Sequence, residues 1–218
     1  MDTFKKVVLL VMLIMPAYGF AQNSDIIWRP IIGYSWDQTD RLSYNIKLEI
    51  FNSVRDFDNS SAIQYIEPQF SISYSLSPQA KLGGGFYSRW ADPLEPGYAY
   101  EQRLLQQISF KTRAGDASIS QRVRLEQRFR DSDYLNRLRY LIGLEYPLQK
   151  NSYLIASNEA LLAFNTDVFS GEYRVDLGVG WNNRPRFELT LGYRTKNLFT
   201  DSDLRHVFLL TTSLGFSR

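Results

Sequence analysis

Residues 119–130 read ISQRVRLEQRFR, and this stretch decides the fold. Its odd positions are mostly apolar, whereas its even positions carry a serine, four arginines and Glu126. Successive side chains of a β-strand point to opposite faces, so a strand here has one apolar face and one charged face. A soluble sandwich would bury the apolar face, whereas a membrane barrel turns it toward lipid and keeps the charged face in its lumen.

The same alternation recurs along the chain and predicts ten strands. Short turns at Ser77-Pro78-Gln79, Ala114-Gly115-Asp116 and Gln149-Lys150-Asn151 separate some of them. We predict an all-β, antiparallel transmembrane β-barrel of ten strands, with twelve as the alternative. The predicted strands are Leu42–Val54, Ala62–Leu76, Ala80–Trp90, Ala99–Lys111, Ala117–Arg130, Tyr134–Pro147, Ser152–Phe164, Ser170–Asn182, Pro185–Lys196 and Leu204–Phe216.

Residues 1–21 have the pattern of a signal peptide. Lys5 and Lys6 precede the apolar run Val7–Met15, and Ala21 supplies a small residue at the predicted cleavage site. We predict Sec export to the outer membrane of a Gram-negative bacterium. Residues 22–41 are then an N-terminal periplasmic extension, in which Ile26–Trp36 resembles a strand but contains a proline, and residues 42–218 form the barrel.

Composition excludes several classes of function. The chain has no cysteine, which removes thiol catalysis and cysteine-ligated zinc. Its net charge of +2 gives no general argument for nucleic-acid binding. The spacing of residues predicts no cofactor.

The lengths of the connections predict an orientation. Short turns alternate with mostly longer connections at 55–61, 91–98, 165–169 and 197–203. In outer-membrane barrels the short turns face the periplasm and the long loops face outward. We expect the chain to begin and end in the periplasm, which requires an even number of strands.

The charged face predicts a polar lumen, because a barrel of this size has little room beyond its own side chains. A filled core of ion pairs is the favoured interpretation, and a narrow passage for small anions is the alternative. The predicted network comprises Arg122, Arg124, Glu126, Arg128, Arg137, Arg139, Glu145, Arg174, Asp176 and Glu188.

Acidic residues in the predicted outer loops could bind divalent cations through hard oxygen ligands. The candidates are paired as Asp-x-Asp: Asp56 and Asp58, Asp131 and Asp133, Asp201 and Asp203. Aspartate also favours turns for local reasons, which is the simpler interpretation.

His206 is the single histidine and the one candidate catalytic base. It shares the outward face with Phe208 and Leu210, and Ser202 or Asp203 could act with it in a lipid-acting enzyme. No nucleophile motif accompanies it, so an enzyme is the less favoured hypothesis.

Four stretches carry a family resemblance: EQRLLQQISF at 101–110, QRVRLEQRF at 121–129, NRLRYLIGLEYPL at 136–148 and SNEALLAF at 157–164. They resemble an exported Gram-negative family called domain of unknown function 2490. That resemblance implies an outer-membrane β-barrel and no established activity. Near the C-terminus, apolar residues alternate up to Phe216, which resembles the signal that barrels present to their insertion machinery.

These observations predict an outer-membrane β-barrel with a structural or interaction role, or with a narrow solute passage. Its expected partners are outer-membrane lipid and the barrel-insertion machinery. A lipid-acting enzyme using His206 and a soluble periplasmic barrel that binds lipid or glycan are the alternatives.

Overall fold

A computed structural model describes residues 24–54, 63–94, 99–130, 133–149, 151–165, 169–183, 185–196 and 205–218. Within these residues the chain forms eleven strands that close into one barrel. The strands are β1 Ser24–Asp37, β2 Leu42–Ser53, β3 Ile63–Ser75, β4 Ala80–Ala91, β5 Ala99–Ala114, β6 Ala117–Arg130, β7 Tyr134–Gln149, β8 Ser152–Phe164, β9 Phe169–Trp181, β10 Arg186–Lys196 and β11 Arg205–Ser217. No helix in this part of the chain is long and apolar enough to cross a bilayer.

Sequential strands pair antiparallel, and β11 closes the barrel by pairing parallel with β1. The all-β barrel is therefore confirmed, but the predicted counts of ten and of twelve strands are both wrong. The segment predicted to be a periplasmic extension forms β1 in the wall. Pro30 interrupts the pairing of β1 with β2, which is present at Trp28 and again at Ile31. On its other side Pro30 stays in register with Thr212 of β11.

The odd number of strands explains the parallel closure. Antiparallel neighbours alternate in direction, so the first and last of eleven strands run the same way. Ser24 and Arg218 therefore lie at opposite ends of the barrel, contrary to the expectation that the chain begins and ends on one side. The residues of the predicted signal peptide lie outside the described part of the chain, so their role stays a prediction.

The two ends of the barrel differ in their connections. One end, here called the turn end, carries Arg218 and the connections 38–41, 76–79, 115–116, 150–151 and 182–185. The opposite end, the loop end, carries Ser24 and the connections 54–62, 92–98, 131–133, 165–168 and 197–204. Gly115 adopts a φ of 60° in the two-residue turn 115–116, a conformation that glycine tolerates without steric cost.

The two faces of the wall follow the alternation in the sequence. Val123 points outward and is 41% exposed, whereas its neighbour Arg124 points into the barrel and is 8% exposed. The register carries this assignment from strand to strand, since Cα partners share a face. In the strands as described, no outward position carries Asp, Glu, Lys or Arg.

A cross-link tests the closure between β1 and β11. Ser35 and Ser217 are Cα partners at the turn end, and the Arg218 N–H donates to the Ser35 carbonyl at 3.1 Å. We expect a short bis-maleimide to join the two cysteines of a Ser35→Cys/Ser217→Cys variant. The cross-link closes a large loop, so it should increase the electrophoretic mobility of the denatured protein. The chain has no native cysteine to interfere.

A second cysteine pair provides the control for this cross-link. Ser53 pairs with Ile27 near the loop end of β1, eight residues from Ser35, or about 26 Å along the strand. Ser35→Cys/Ser53→Cys should therefore stay unlinked. Equal behaviour of the two pairs would contradict the docking of β1 on β11.

Candidate functional site

The outward wall carries aromatic side chains in two belts near the strand ends. At the turn end, the ring centroids of Tyr34 and Trp36 are 5.6 Å apart, and those of Trp36 and Tyr44 are 5.2 Å apart. Trp181 and Phe187 extend this belt at 5.5 Å. Such contacts present amphipathic rings at a common height, as in the interfacial girdles of membrane barrels.

A matching belt surrounds the loop end. Its ring pairs are Trp90–Tyr100 at 5.7 Å, Phe129–Tyr134 at 5.2 Å and Tyr193–Phe208 at 5.3 Å. Aliphatic side chains such as Leu138, Leu191 and Leu210 lie exposed between the two belts. The outer wall is thus an uncharged, mainly apolar band with a few amide side chains, such as Gln121 and Asn158, bordered above and below by aromatic rings.

His206 lies in the loop-end belt. Its Nδ1 is 2.7 Å from the Tyr193 hydroxyl, and the two rings stack with centroids 5.9 Å apart. The side chain is on the outward face, where the alternation predicted it. Ser202 and Asp203 lie outside the described residues, so the predicted catalytic pairing stays a prediction.

Of the six aspartates predicted to bind cations, the structure describes Asp133 alone. Its Oδ1 accepts a hydrogen bond of 3.3 Å from the Asn165 side chain near the loop end. Asp56, Asp58, Asp131, Asp201 and Asp203 lie outside the described residues. Among those described, no group of three acidic or histidine side chains is arranged to hold a metal ion.

The inward face holds a network of ion pairs centred on Glu126. Glu126 is inaccessible to solvent, at 0% exposure. Arg137 donates to its Oε2 from Nε at 2.8 Å, and Arg139 donates to its Oε1 at 2.6 Å. Arg124 approaches the same carboxylate at 3.6 Å. Buried charges need such partners, because an isolated ion in a dry interior carries a large desolvation cost.

Two further carboxylates extend the network around the lumen. Glu159 accepts from both Arg139, at 2.6 Å, and Arg122, at 3.0 Å. Glu101 accepts a bidentate pair from Arg128, at 2.9 and 2.7 Å. The paired, planar geometry of arginine suits such contacts in confined space.

All ten residues of the predicted lumen network point inward, but the structure divides them. Seven of them join the buried network: Arg122, Arg124, Glu126, Arg128, Arg137, Arg139 and Arg174. Glu145 and Glu188 lie nearer the turn end, where both bind Arg186 at about 3 Å. Asp176 remains apart, with Oδ1 buried and without a hydrogen-bond partner in the described structure.

The ten predicted residues omit four members of the network, namely Glu101, Arg103, Glu159 and Tyr87. Glu159 is the shared carboxylate of three arginines, and the Tyr87 hydroxyl accepts a hydrogen bond from Arg103. All four occupy inward positions of their strands. The alternation in β8 could have identified Glu159, because this residue follows the outward Asn158 and therefore points inward.

Large inward side chains fill the half of the lumen nearer the loop end. Ten of the eleven described strands place a buried side chain there: Ile27, Phe51, Glu67, Tyr87, Arg103, Glu126, Arg137, Glu159, Arg194 and Leu209. Toward the turn end several inward positions are small and partly accessible, such as Ser73, Gly83, Ser120 and Gly143. Tyr153 is buried there beneath the Arg186 guanidinium. The buried set nearer the loop end is here called the plug, and its side chains are almost inaccessible to water.

A cavity of about 580 Å³ lies on the loop-end side of the plug. Arginines contribute to its wall, including Arg128, Arg137 and Arg194. An apolar strip of Ile27, Phe51, Tyr65 and Val207 lines another part of it. Four acidic residues also line it: Asp25, Asp92, Asp133 and Glu172. This cavity, here called the vestibule, thus has charged walls of both signs with arginine in excess, beside an apolar part.

Fold and interior together define the class: an all-β closed barrel, mostly antiparallel, with a charged interior and an uncharged outer wall. A family model described as Protein of unknown function (DUF2490) matches residues 34–206. The chain therefore belongs to this family, which confirms the predicted resemblance. A search of curated proteins finds no match.

Several solved structures are similar in fold. They include outer-membrane expressed OmpT of Vibrio cholerae, with 12% identity and a TM-score of 0.43 over 71% of this chain and 54% of that one. The in-vitro folded trimer form of the same protein has 11% identity and a TM-score of 0.43, covering 79% and 83%. An anion-selective porin from Comamonas acidovorans has 12% identity and a TM-score of 0.42, covering 82% and 54%. The chain spans about half the length of the first of these structures.

Proposed function

We propose that this chain is an integral β-barrel of the outer membrane with a closed lumen, and that its role there is structural or binding. The observation that carries the location is the outer wall, which has no charged residue at any described outward position. Soluble monomers rarely expose continuous apolar surface beyond a few hundred Å². All eleven described strands expose apolar or aromatic side chains on this wall, and its polar residues, such as Gln106 and Gln121, are uncharged, which suits hydrocarbon better than water.

The dimensions of the wall support this proposal. Its strands contain 11 to 16 residues. At about 3.3 Å per residue and a tilt of about 40°, they span about 28 to 40 Å, enough for an apolar band of about 25 Å with its two aromatic belts. The belts would then lie at the two membrane interfaces.

Membrane orientation follows from the ends of the barrel. The turn end would face the periplasm and the loop end the outside, as in other outer-membrane barrels. With eleven strands, Ser24 would then lie outside and Arg218 in the periplasm. We further propose Sec export in a Gram-negative cell, and insertion machinery that engages the outward aromatic residues of β11.

The plug favours a structural or binding role over a solute passage. Glu126 and Arg103 fill the lumen from adjacent strands and are essentially inaccessible. The excess of arginine in the lumen would suit small anions, but an ion would have to displace paired side chains to cross. A passage would therefore require the plug to rearrange.

Two measurements test the proposal. We expect the protein to remain in urea-washed outer membranes and to show a heat-dependent mobility shift on gels, as closed barrels resist unfolding by detergent. In planar bilayers the folded protein should give no steady conductance in chloride salts. A soluble, heat-insensitive protein would overturn the membrane location, and steady anion-selective current would instead support the passage.

A further inference from the structure

One arginine in the vestibule lacks an acidic partner. Arg194 is 7% exposed and lines the cavity. Its Nε is buried without a hydrogen-bond acceptor, and no carboxylate of the described chain lies within salt-bridge distance of its guanidinium. A buried cation without a partner is costly, which distinguishes Arg194 from the paired arginines of the plug.

The two neighbouring arginines each have carboxylate partners of their own, so the surroundings of Arg194 hold charges of both signs. Arg174 is the Cα partner of Arg194 on β9, but it already binds Glu172 at 2.8 Å and Glu159 at 3.5 Å. Arg29 approaches from β1, donates to the Thr211 hydroxyl at 3.1 Å and pairs with Glu49 at 3.7 Å. Arg194 is therefore the arginine of this group whose charge no ion pair matches in the described structure, and it lines the vestibule, which has room for an anion.

Beside this charge lies the apolar strip. Val207 is the Cα partner of Arg194 on β11, and it packs in one cluster with Ile27 and Phe51. The guanidinium carbons of Arg29 and Arg194 lie 5.7 and 6.0 Å from the centre of the Phe51 ring. Apolar residues inside a lumen of ion pairs have no role in the network, but they suit the apolar part of a ligand.

We propose that the vestibule binds a small amphiphilic anion: a carboxylate or phosphate carried on an aromatic or short aliphatic group. The anionic group binds Arg194, and the apolar part packs against Phe51, Ile27 and Val207. A volume of about 580 Å³ falls within the range of small-molecule sites. This site goes beyond the proposed function but depends on the closed lumen, because the plug forms its floor.

The ligand would come from solution rather than from the bilayer. The strands of the wall separate the vestibule from the surrounding lipid, and the cavity lies toward the loop end of the barrel. A free organic acid would enter from that end. A membrane lipid would have to leave its leaflet and pass over the rim.

The test measures binding of 4-fluorobenzoate to the folded, detergent-solubilised full chain by fluorine NMR. We expect saturable binding, and at least tenfold weaker binding of 4-fluorobenzamide, which has the same shape without the charge. Arg194→Gln should weaken 4-fluorobenzoate at least tenfold. Arg122→Gln removes an equal charge from the lumen outside the vestibule and should leave binding within twofold of the native value.

A stability measurement separates a ligand-binding role from a structural one. Without ligand, Arg194→Gln should unfold in urea at the same concentration as the native chain or a higher one, since it removes an unpaired buried charge. A purely structural arginine would lower that midpoint when replaced. A lower midpoint for Arg194→Gln therefore counts against the proposal.

The outcomes are distinct from those for the proposed function. Equal binding of the acid and the amide, or native binding by Arg194→Gln, would overturn the site, while an intact heat shift and absent conductance would leave the closed barrel standing. Displacement of 4-fluorobenzoate by micromolar dihexanoylphosphatidate, but not by millimolar hexanoate, would overturn the assignment to a soluble acid in favour of a lipid headgroup.

Discussion

Glu126→Gln is expected to lower the free energy of unfolding by about 3–5 kcal/mol, the range found when one partner of a buried ion pair is removed. Glu126 is the one carboxylate that pairs with Arg137 in the described structure, and it also binds Arg139. Arg139 retains Glu159 in the variant, whereas Arg137 is left as a buried, uncompensated cation. Urea titration of the barrel in lipid vesicles measures this loss directly.

Glu145→Gln is the matched control for this substitution. Glu145 also pairs with an arginine of the lumen, at 3.0 Å, but its side chain is 39% exposed near the turn end. Solvent-accessible pairs contribute only about 0–1 kcal/mol, so the control should change little. If both variants lose the same stability, the plug does not hold the barrel together.

A double variant shows whether the loss comes from the pair itself. Glu126→Gln/Arg137→Gln removes the carboxylate together with the cation that it leaves unpaired. We expect it to be more stable than the sum of the two single losses predicts, by about 0.5–3 kcal/mol. Strict additivity would show that Glu126 and Arg137 do not act as a unit.

The barrel could be predicted from the sequence because alternation is a local property. In residues 119–130 every second side chain is charged or small and polar. A strand places these side chains on one face and the side chains between them on the other. Inward placement of Arg124 and Glu126 follows once the apolar side is assigned to lipid. The same argument predicts that Glu159 points inward.

The number of strands could not be predicted in this way. Pro30 counts against a central strand, because it cannot donate to a ladder. Whether Pro30 excludes a strand depends on the strand that lies beside it, and β11 comes from the other end of the chain. Barrel closure is thus a tertiary property, which the local alternation of side chains cannot predict.

The vestibule was hidden for a different reason. Residues 207–210 read VFLL, so both faces of β11 are apolar and alternation does not distinguish them. Val207 and Leu209 point inward and pack with Phe51 of β2, and Val207 contributes to the apolar strip of the vestibule. Whether Arg194 finds a carboxylate depends on how side chains from several strands meet across the lumen, which no local pattern encodes.

Leu138→Arg is expected to destabilise the barrel in a bilayer by about 2–4 kcal/mol, the cost of an arginine on the lipid face at mid-depth. Leu138 points outward between the two aromatic belts, and its Cα partners on either side are Leu125 and Leu162. If this wall faced water, the substitution would place a charge on a half-exposed surface and change stability by only about 0.5 kcal/mol. The size of the loss therefore reports which solvent covers the wall.

Two controls isolate the effect of lipid. Leu138→Ala removes the same packing without adding charge, so the difference between the two variants measures the cost of the guanidinium alone. Leu76→Arg places the same charge in the turn at 76–79, outside the apolar band, and should cost about 0–1 kcal/mol. Unfolding in vesicles gives all three values. Equal losses for Leu138→Arg and Leu76→Arg would count against hydrocarbon around the barrel, because both leucines are exposed and a bilayer would penalise the charge at Leu138 far more.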